Sequence, residues 1–191
     1  MAEAELPWQN IHYLALGNER QQAAYGVLRS LRIFEHLAPY RPVLVGTIPI
    51  GVDVPESDLD VVCEAYDLVA FQAYLEEAFG HLSRFQIKTK PVRGVASVIA
   101  RFVHAGFMFE IFGQPRPVVE QHAYRHMLVE ARLLELGGEP ARHAIRRLKQ
   151  AGLKTEPAFA HYFGLEGDPF ETLFALSQLS DEVLRDRIGL V

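Results

Sequence analysis

Two aspartates one residue apart, Asp58 and Asp60, close the segment GTIPIGVDVPESDLDVV, residues 46–62. On an extended strand, residues i and i+2 point to the same side, so this spacing sets two carboxylates next to each other. Two anions so close repel unless a cation lies between them. Mg²⁺ (or Mn²⁺) suits the pair, because such ions take hard oxygen ligands from one or two carboxylates and from substrate phosphates. Just upstream lies Gly46-Thr47. A glycine lets backbone N–H groups approach phosphate oxygens, and a threonine hydroxyl adds a hydrogen bond. Ser57 reads equally as a turn residue or as a second phosphate contact. A third acid, Glu110, stands in FMFEIF between apolar neighbours, where a carboxylate without a partner is costly to bury. If its strand lies beside residues 58–63, Glu110 joins the pair. Three carboxylates could then hold two metals that clamp the attacking and leaving oxygens of an in-line displacement.

The elements that must position these groups follow from pattern. Residues 18–37 carry apolar side chains at helical spacing, with Asn18 as the cap and Pro39 and Pro42 as the stop. PVLVGT and DLDVVCE read as short strands, and residues 67–79 as a helix closed by Gly80. FQIKTK (85–90), VASVIARFV (95–103) and FMFEIFG (107–113) read as strands joined by tight turns, hence antiparallel hairpins. After Pro117 the pattern turns helical, over residues 118–136, 139–151, 155–164 and 169–188. The fold class expected is α+β, with a mixed sheet and flanking helices in residues 1–116 and a helical domain in residues 117–191.

Composition bounds the function. The chain has 191 residues, 49% hydrophobic and 23% charged, which is enough apolar material for a core. Its formal net charge of −5 speaks against broad nucleic-acid binding, although not against a local basic pocket. The single cysteine, Cys63, cannot form an internal disulfide and reads as a buried strand residue or, alternatively, a catalytic thiol. The N-terminal residues lack the pattern of a secretory signal, and no apolar run is long enough to span a membrane. A cytoplasmic protein is expected.

The spacing Gly46-Thr47, Gly51, Pro55, Ser57-Asp58-Leu59-Asp60 resembles the nucleotidyltransferase superfamily with the polymerase β-like fold. The likeness is to its minimal bacterial variant, in which Gly-Ser, Gly, Pro and Ser-Asp-apolar-Asp follow in the same register. Thr47 replaces the serine and keeps the hydroxyl. The resemblance covers roughly residues 43–113 and is specific at 46–60. It implies that Asp58 and Asp60 are metal ligands. Glu110 would be the third carboxylate, which positions or deprotonates an attacking hydroxyl, and Gly46 and Thr47 would contact the triphosphate. The implied co-substrate is a nucleoside triphosphate with Mg²⁺, and the implied reaction is transfer of a nucleoside monophosphate to an acceptor. That acceptor is a small molecule, a protein side chain or an RNA end. A non-catalytic nucleotide-binding or antitoxin-like module and a metal-dependent phosphohydrolase are the alternatives. The segments EIFGQPRPVVEQHAYRHM, GLKTEPAFA and GDPF are similar to a narrower bacterial family, a domain of unknown function numbered 4269.

Other polar residues have two readings each. Lys88 and Lys90 share a strand face and either receive phosphate or form a solvated edge. Gln121 and Arg125 share a helix face and could line a substrate cleft. His122 and His126, four residues apart, could bind zinc but lack the HExxH context. Lys154 is either a phosphate ligand or an ordinary residue before the Thr155–Pro157 helix start. The basic run Arg142, Arg146, Arg147, Lys149 reads as a solvated helix face or a nucleic-acid patch.

Overall fold

The computed structural model describes residues 8–188 and has the α+β architecture expected from the pattern. Asn18 begins α1 (Glu19–Ser30) with a capping box: its side chain accepts from the Gln21 backbone, and the Gln21 side chain accepts from the Asn18 backbone. The helix expected over residues 18–37 is not continuous. Arg32 takes a left-handed conformation, φ 50°, and α2 (Ile33–His36) restarts after it. The break turns Ile33 and Leu37 into the core.

Five strands form one sheet: β1 (Val43–Val45), β2 (Leu59–Glu64), β3 (Ser83–Val92), β4 (Val95–His104) and β5 (Phe107–Gln114), in the order β1-β2-β5-β4-β3. β2 and β5 run parallel, and the other neighbours run antiparallel. Between β2 and β3 lies α3 (Leu68–Phe79), started by the Asp67 side chain, which accepts from Ala70 N–H at 3.0 Å.

Period-two alternation gives the sheet two different faces. Leu44, Leu59, Val61, Phe109, Ile111, Ala100 and Phe102 point to one side and pack with α1 and α3. Val43, Val45, Val62 and the edge of Phe112 point to the other. That second face is covered by the helical half: α4 (His122–Gln150), α5 (Thr155–Phe163), α6 (Pro169–Leu176) and α7 (Asp181–Arg187). The helix expected over residues 169–188 is thus two, with Ser180 capping the second. In α4, Gly138 leaves helical geometry (φ 62°, ψ −159°) two residues before Pro140, and the helix bends there into two arms. Asp60 and Glu110 lie on the same sheet face as Val62 and Phe112, opposite α4. No described helix is long and apolar enough to cross a membrane.

Candidate active site

Gly46 leaves β1 with φ +87°, a conformation that favours glycine. A Cβ there would stand 2.7 Å from Asp60 Oδ2, so the glycine also lets the backbone lie against that carboxylate. The chain then turns: Val52 N–H donates to Thr47 O at 3.1 Å and Gly51 N–H to Ile48 O at 3.1 Å. Side chains from two helices hold the loop in place. Gln21 Nε2 donates to Ile48 O and Pro49 O at 2.9 and 3.0 Å. Arg20 donates to Pro55 O and Ser57 O, both at 3.2 Å, while its guanidinium lies 4.2 Å from the Phe107 ring centroid. Arg142 donates to Ile50 O. Ser57 serves the turn, since its Oγ accepts from Val54 N–H at 2.9 Å. It also meets the cleft, where Thr47 Oγ1 donates to it at 3.2 Å. The turn reading of Ser57 is thus met by its bond to Val54.

The strand register places the acids. Asp60 pairs with Glu110 across β2 and β5, and Glu110 pairs with Arg101 across β5 and β4. Asp58 enters the same cleft from the residue before β2. Asp60 is held well above the usual carboxylate range, first by burial and then by repulsion from Asp58 and Glu110, with Arg101 and Lys149 opposing. Glu110 is not left to the aspartates. Its Oε2 accepts from Arg101 Nε at 2.6 Å and also from the second guanidinium nitrogen. Among the described residues, no three His, Cys, Asp or Glu side chains converge to hold one ion, and that includes Asp58, Asp60 and Glu110. Two repelling carboxylates on one strand end, open to a cleft, do fit a single divalent ion completed by substrate phosphates.

The cleft between sheet and helices encloses roughly 410 Å³. Gly46, Thr47 and Ser57 form its turn side, and Asp58, Asp60, Glu110 and Phe112 its sheet wall. The helix wall is His126 and Glu130 from the first arm of α4, Lys149 from the second, and Thr155 and Glu156 from α5. Arg93, Arg116 and His122 line the remaining side. Glu130 is 3% exposed, and burial, reinforced by Glu156 and opposed by Lys149, pushes its carboxyl up to about 8. It is therefore protonated at neutral pH. Burial lowers the Lys149 ammonium, against the pull of Glu130, Asp53, Glu156 and Asp58, and Lys149 has no close ion pair among the described residues. Burial acts to raise Glu156, but the His126 hydrogen bond, a backbone hydrogen bond and the charges of His126 and Lys149 together outweigh it and hold the carboxyl below its usual value.

Several expected cleft residues lie elsewhere. Lys88 is exposed on edge strand β3, consistent with the solvated-edge reading. Gln121 is buried as a tie, its Nε2 donating to Cys63 O at 2.9 Å and Arg116 O at 3.1 Å. Arg125 donates to Val119 O at 2.7 Å, and Lys154 stays exposed at the start of α5. None of the four lines the cleft. Zinc at His122 and His126 finds no support: His126 has both ring nitrogens engaged, Nδ1 with Glu156 at 3.1 Å and Nε2 with Phe170 O at 3.0 Å. Cys63 is buried, and its thiol is pushed up by burial.

The sequence reading missed Lys149, Glu130, the His126–Glu156 pair and Arg101. For Lys149 a signal existed. Arg142, Arg146 and Lys149 stand at i, i+4 and i+7, one helical face. That face is turned inward, to Ile50 O, to Asp53 and to the cleft, and is not solvated as expected.

The family model of a domain of unknown function, DUF4269, matches residues 26–176. The chain belongs to that family. The match crosses residue 117, from the sheet into the helical half. No curated protein matches the sequence. Among solved structures, the GLD-2/RNP-8 complex is similar with a TM-score of 0.53 at 12% identity, over 80% of this chain and 61% of that one. The Cid1 poly(U) polymerase with MgGTP bound gives 0.51 at 13%, over 73% and 46%. A cytoplasmic RNA terminal U-transferase gives 0.50 at 16%, over 73% and 44%. The DUF4269 fold here is thus nucleotidyltransferase-like, and the chain spans about half the length of these neighbours.

Proposed function

We propose that the protein is a metal-dependent nucleotidyltransferase. The observation that carries this reading is the pairing of Asp60 with Glu110 on adjacent strands, beside Asp58 and against the Gly46 turn. The nucleoside triphosphate lies in the cleft with its phosphates between the Gly46–Thr47 turn and Lys149. Asp58 and Asp60 would hold Mg²⁺ or Mn²⁺, and an ion bound there would neutralise the carboxylates and the phosphates they face. Glu110 holds the acceptor hydroxyl and takes its proton as the hydroxyl oxygen bonds to the α-phosphorus. The bond from that phosphorus to the bridging oxygen of the β-phosphate breaks, and pyrophosphate leaves. The chain contributes mainly position and preorganised charge.

The test is incubation with Mg²⁺ and each α-labelled nucleoside triphosphate, against small-molecule, protein and RNA acceptors. Wild type should release pyrophosphate and label one acceptor class, and Asp58→Asn/Asp60→Asn should do neither. Free nucleotide and phosphate without label transfer would identify a phosphohydrolase instead. Mg²⁺-dependent nucleotide binding without turnover would leave a binding module of the same fold.

A further inference from the structure

We infer that Arg101 is the second positive charge of this site, so that the protein holds one divalent ion, at Asp58 and Asp60, and Glu110 serves without one. The inference rests on the nucleotidyltransferase reading and deepens it. Asp60, Glu110 and Arg101 form a single cross-strand row on the cleft face of β2, β5 and β4. Glu110 stands in the middle, and its Oε2 accepts from two nitrogens of the same guanidinium, on the side away from Asp60. Such a paired, charge-assisted contact fixes direction as well as energy. It draws the Glu110 carboxylate toward β4, and the three acids accordingly do not converge on one point.

With Oε2 committed to Arg101, Oε1 is the oxygen left to meet an acceptor hydroxyl. Arg101 is thereby a positioning residue for Glu110. It is half exposed, so its replacement leaves no cavity in the core.

The test counts Mn²⁺ bound per chain, by the electron paramagnetic resonance of free Mn²⁺, on the full chain without nucleotide. Wild type should bind one ion, and Asp58→Asn/Asp60→Asn none. Arg101→Met should bind two, because Glu110 is released toward Asp60, and Arg101→Met/Glu110→Gln should return to one. Arg101→Lys, which keeps the charge, should stay at one and checks that the position tolerates change. Two ions in wild type, or one in Arg101→Met that still melts cooperatively, would overturn the role of Arg101 and leave the nucleotidyltransferase reading standing. No binding by wild type, or binding indifferent to Asp58→Asn/Asp60→Asn, would overturn both.

Discussion

Replacing Gly46 by alanine separates the architecture of the turn from its use. The backbone there has φ +87°, and an L-residue in that region costs about 1–2 kcal/mol. The new Cβ would also stand 2.7 Å from Asp60 Oδ2. Asp60 must rotate away, and an off-rotamer side chain costs about 0.5–1.5 kcal/mol. Together these amount to about 1.5–3.5 kcal/mol, or a melting temperature lower by about 3–14 °C in a chain this size. The decisive readout is a second one. A nucleoside triphosphate with Mg²⁺ at ~100 times its Kd adds ~2.7 kcal/mol to wild type, and Gly46→Ala should lose that rise because its Asp60 is displaced. Gly106→Ala is the control. Gly106 has φ +82° in the β4–β5 turn with no atom within 4 Å of the would-be Cβ, so it carries the backbone strain alone. It should melt lower and keep the full ligand rise. A Gly46→Ala protein that keeps the rise, or a Gly106→Ala protein that loses it, would refute the placement of phosphate on this turn.

Other outcomes follow from the cleft wall and the loop clamps. Lys149→Met should weaken triphosphate binding about 10- to 100-fold, the loss of a charge-assisted hydrogen bond, while calorimetry of Mn²⁺ alone shows little change. Glu130 ionises near 8 when folded against an ordinary 4.5, so the folded state holds the extra proton between those values. Stability then falls as pH rises through that interval, by up to about 1.4 kcal/mol per pH unit. Glu130→Gln should remove this slope and melt above wild type at pH 8, and parallel melting curves from pH 5 to 8 would contradict the buried-acid assignment. Arg20→Ala removes the bonds to Pro55 O and Ser57 O and the contact with Phe107. It should cost about 1–3 kcal/mol and make residues 46–57 the first site of limited proteolysis.

The strands were legible because their alternation is strong and their turns short. That same alternation made the pairing of Asp60 with Glu110 readable once β5 was set beside β2. The break at Arg32 was not legible, since nothing in RSLRIF marks a left-handed residue, and the core decides it through Ile33 and Leu37. Site residues far from the motif were the hardest. Gln121 and Arg125 look like ligands by type, yet backbone carbonyls consume their donors. Lys149 looks like surface by neighbourhood, yet the bend at Gly138 swings its arm of α4 over the cleft. Arg101 is one basic residue in an apolar strand, and only the register with β5 reveals what it faces.

The parallel pairing of β2 with β5 also sets a timetable. β3, β4 and β5 are joined by tight turns at Arg93-Gly94 and Ala105-Gly106, whereas β2 and β5 are separated in sequence by α3 and the whole β3–β4 hairpin. Loops that close over short separations form first, and the distant parallel contact closes late. Arg101 and Glu110 should therefore meet inside an early hairpin, with Asp58 and Asp60 arriving afterwards. Metal capture during refolding should lag behind the appearance of β-structure, which makes a bound Mn²⁺ a clock for the final strand insertion.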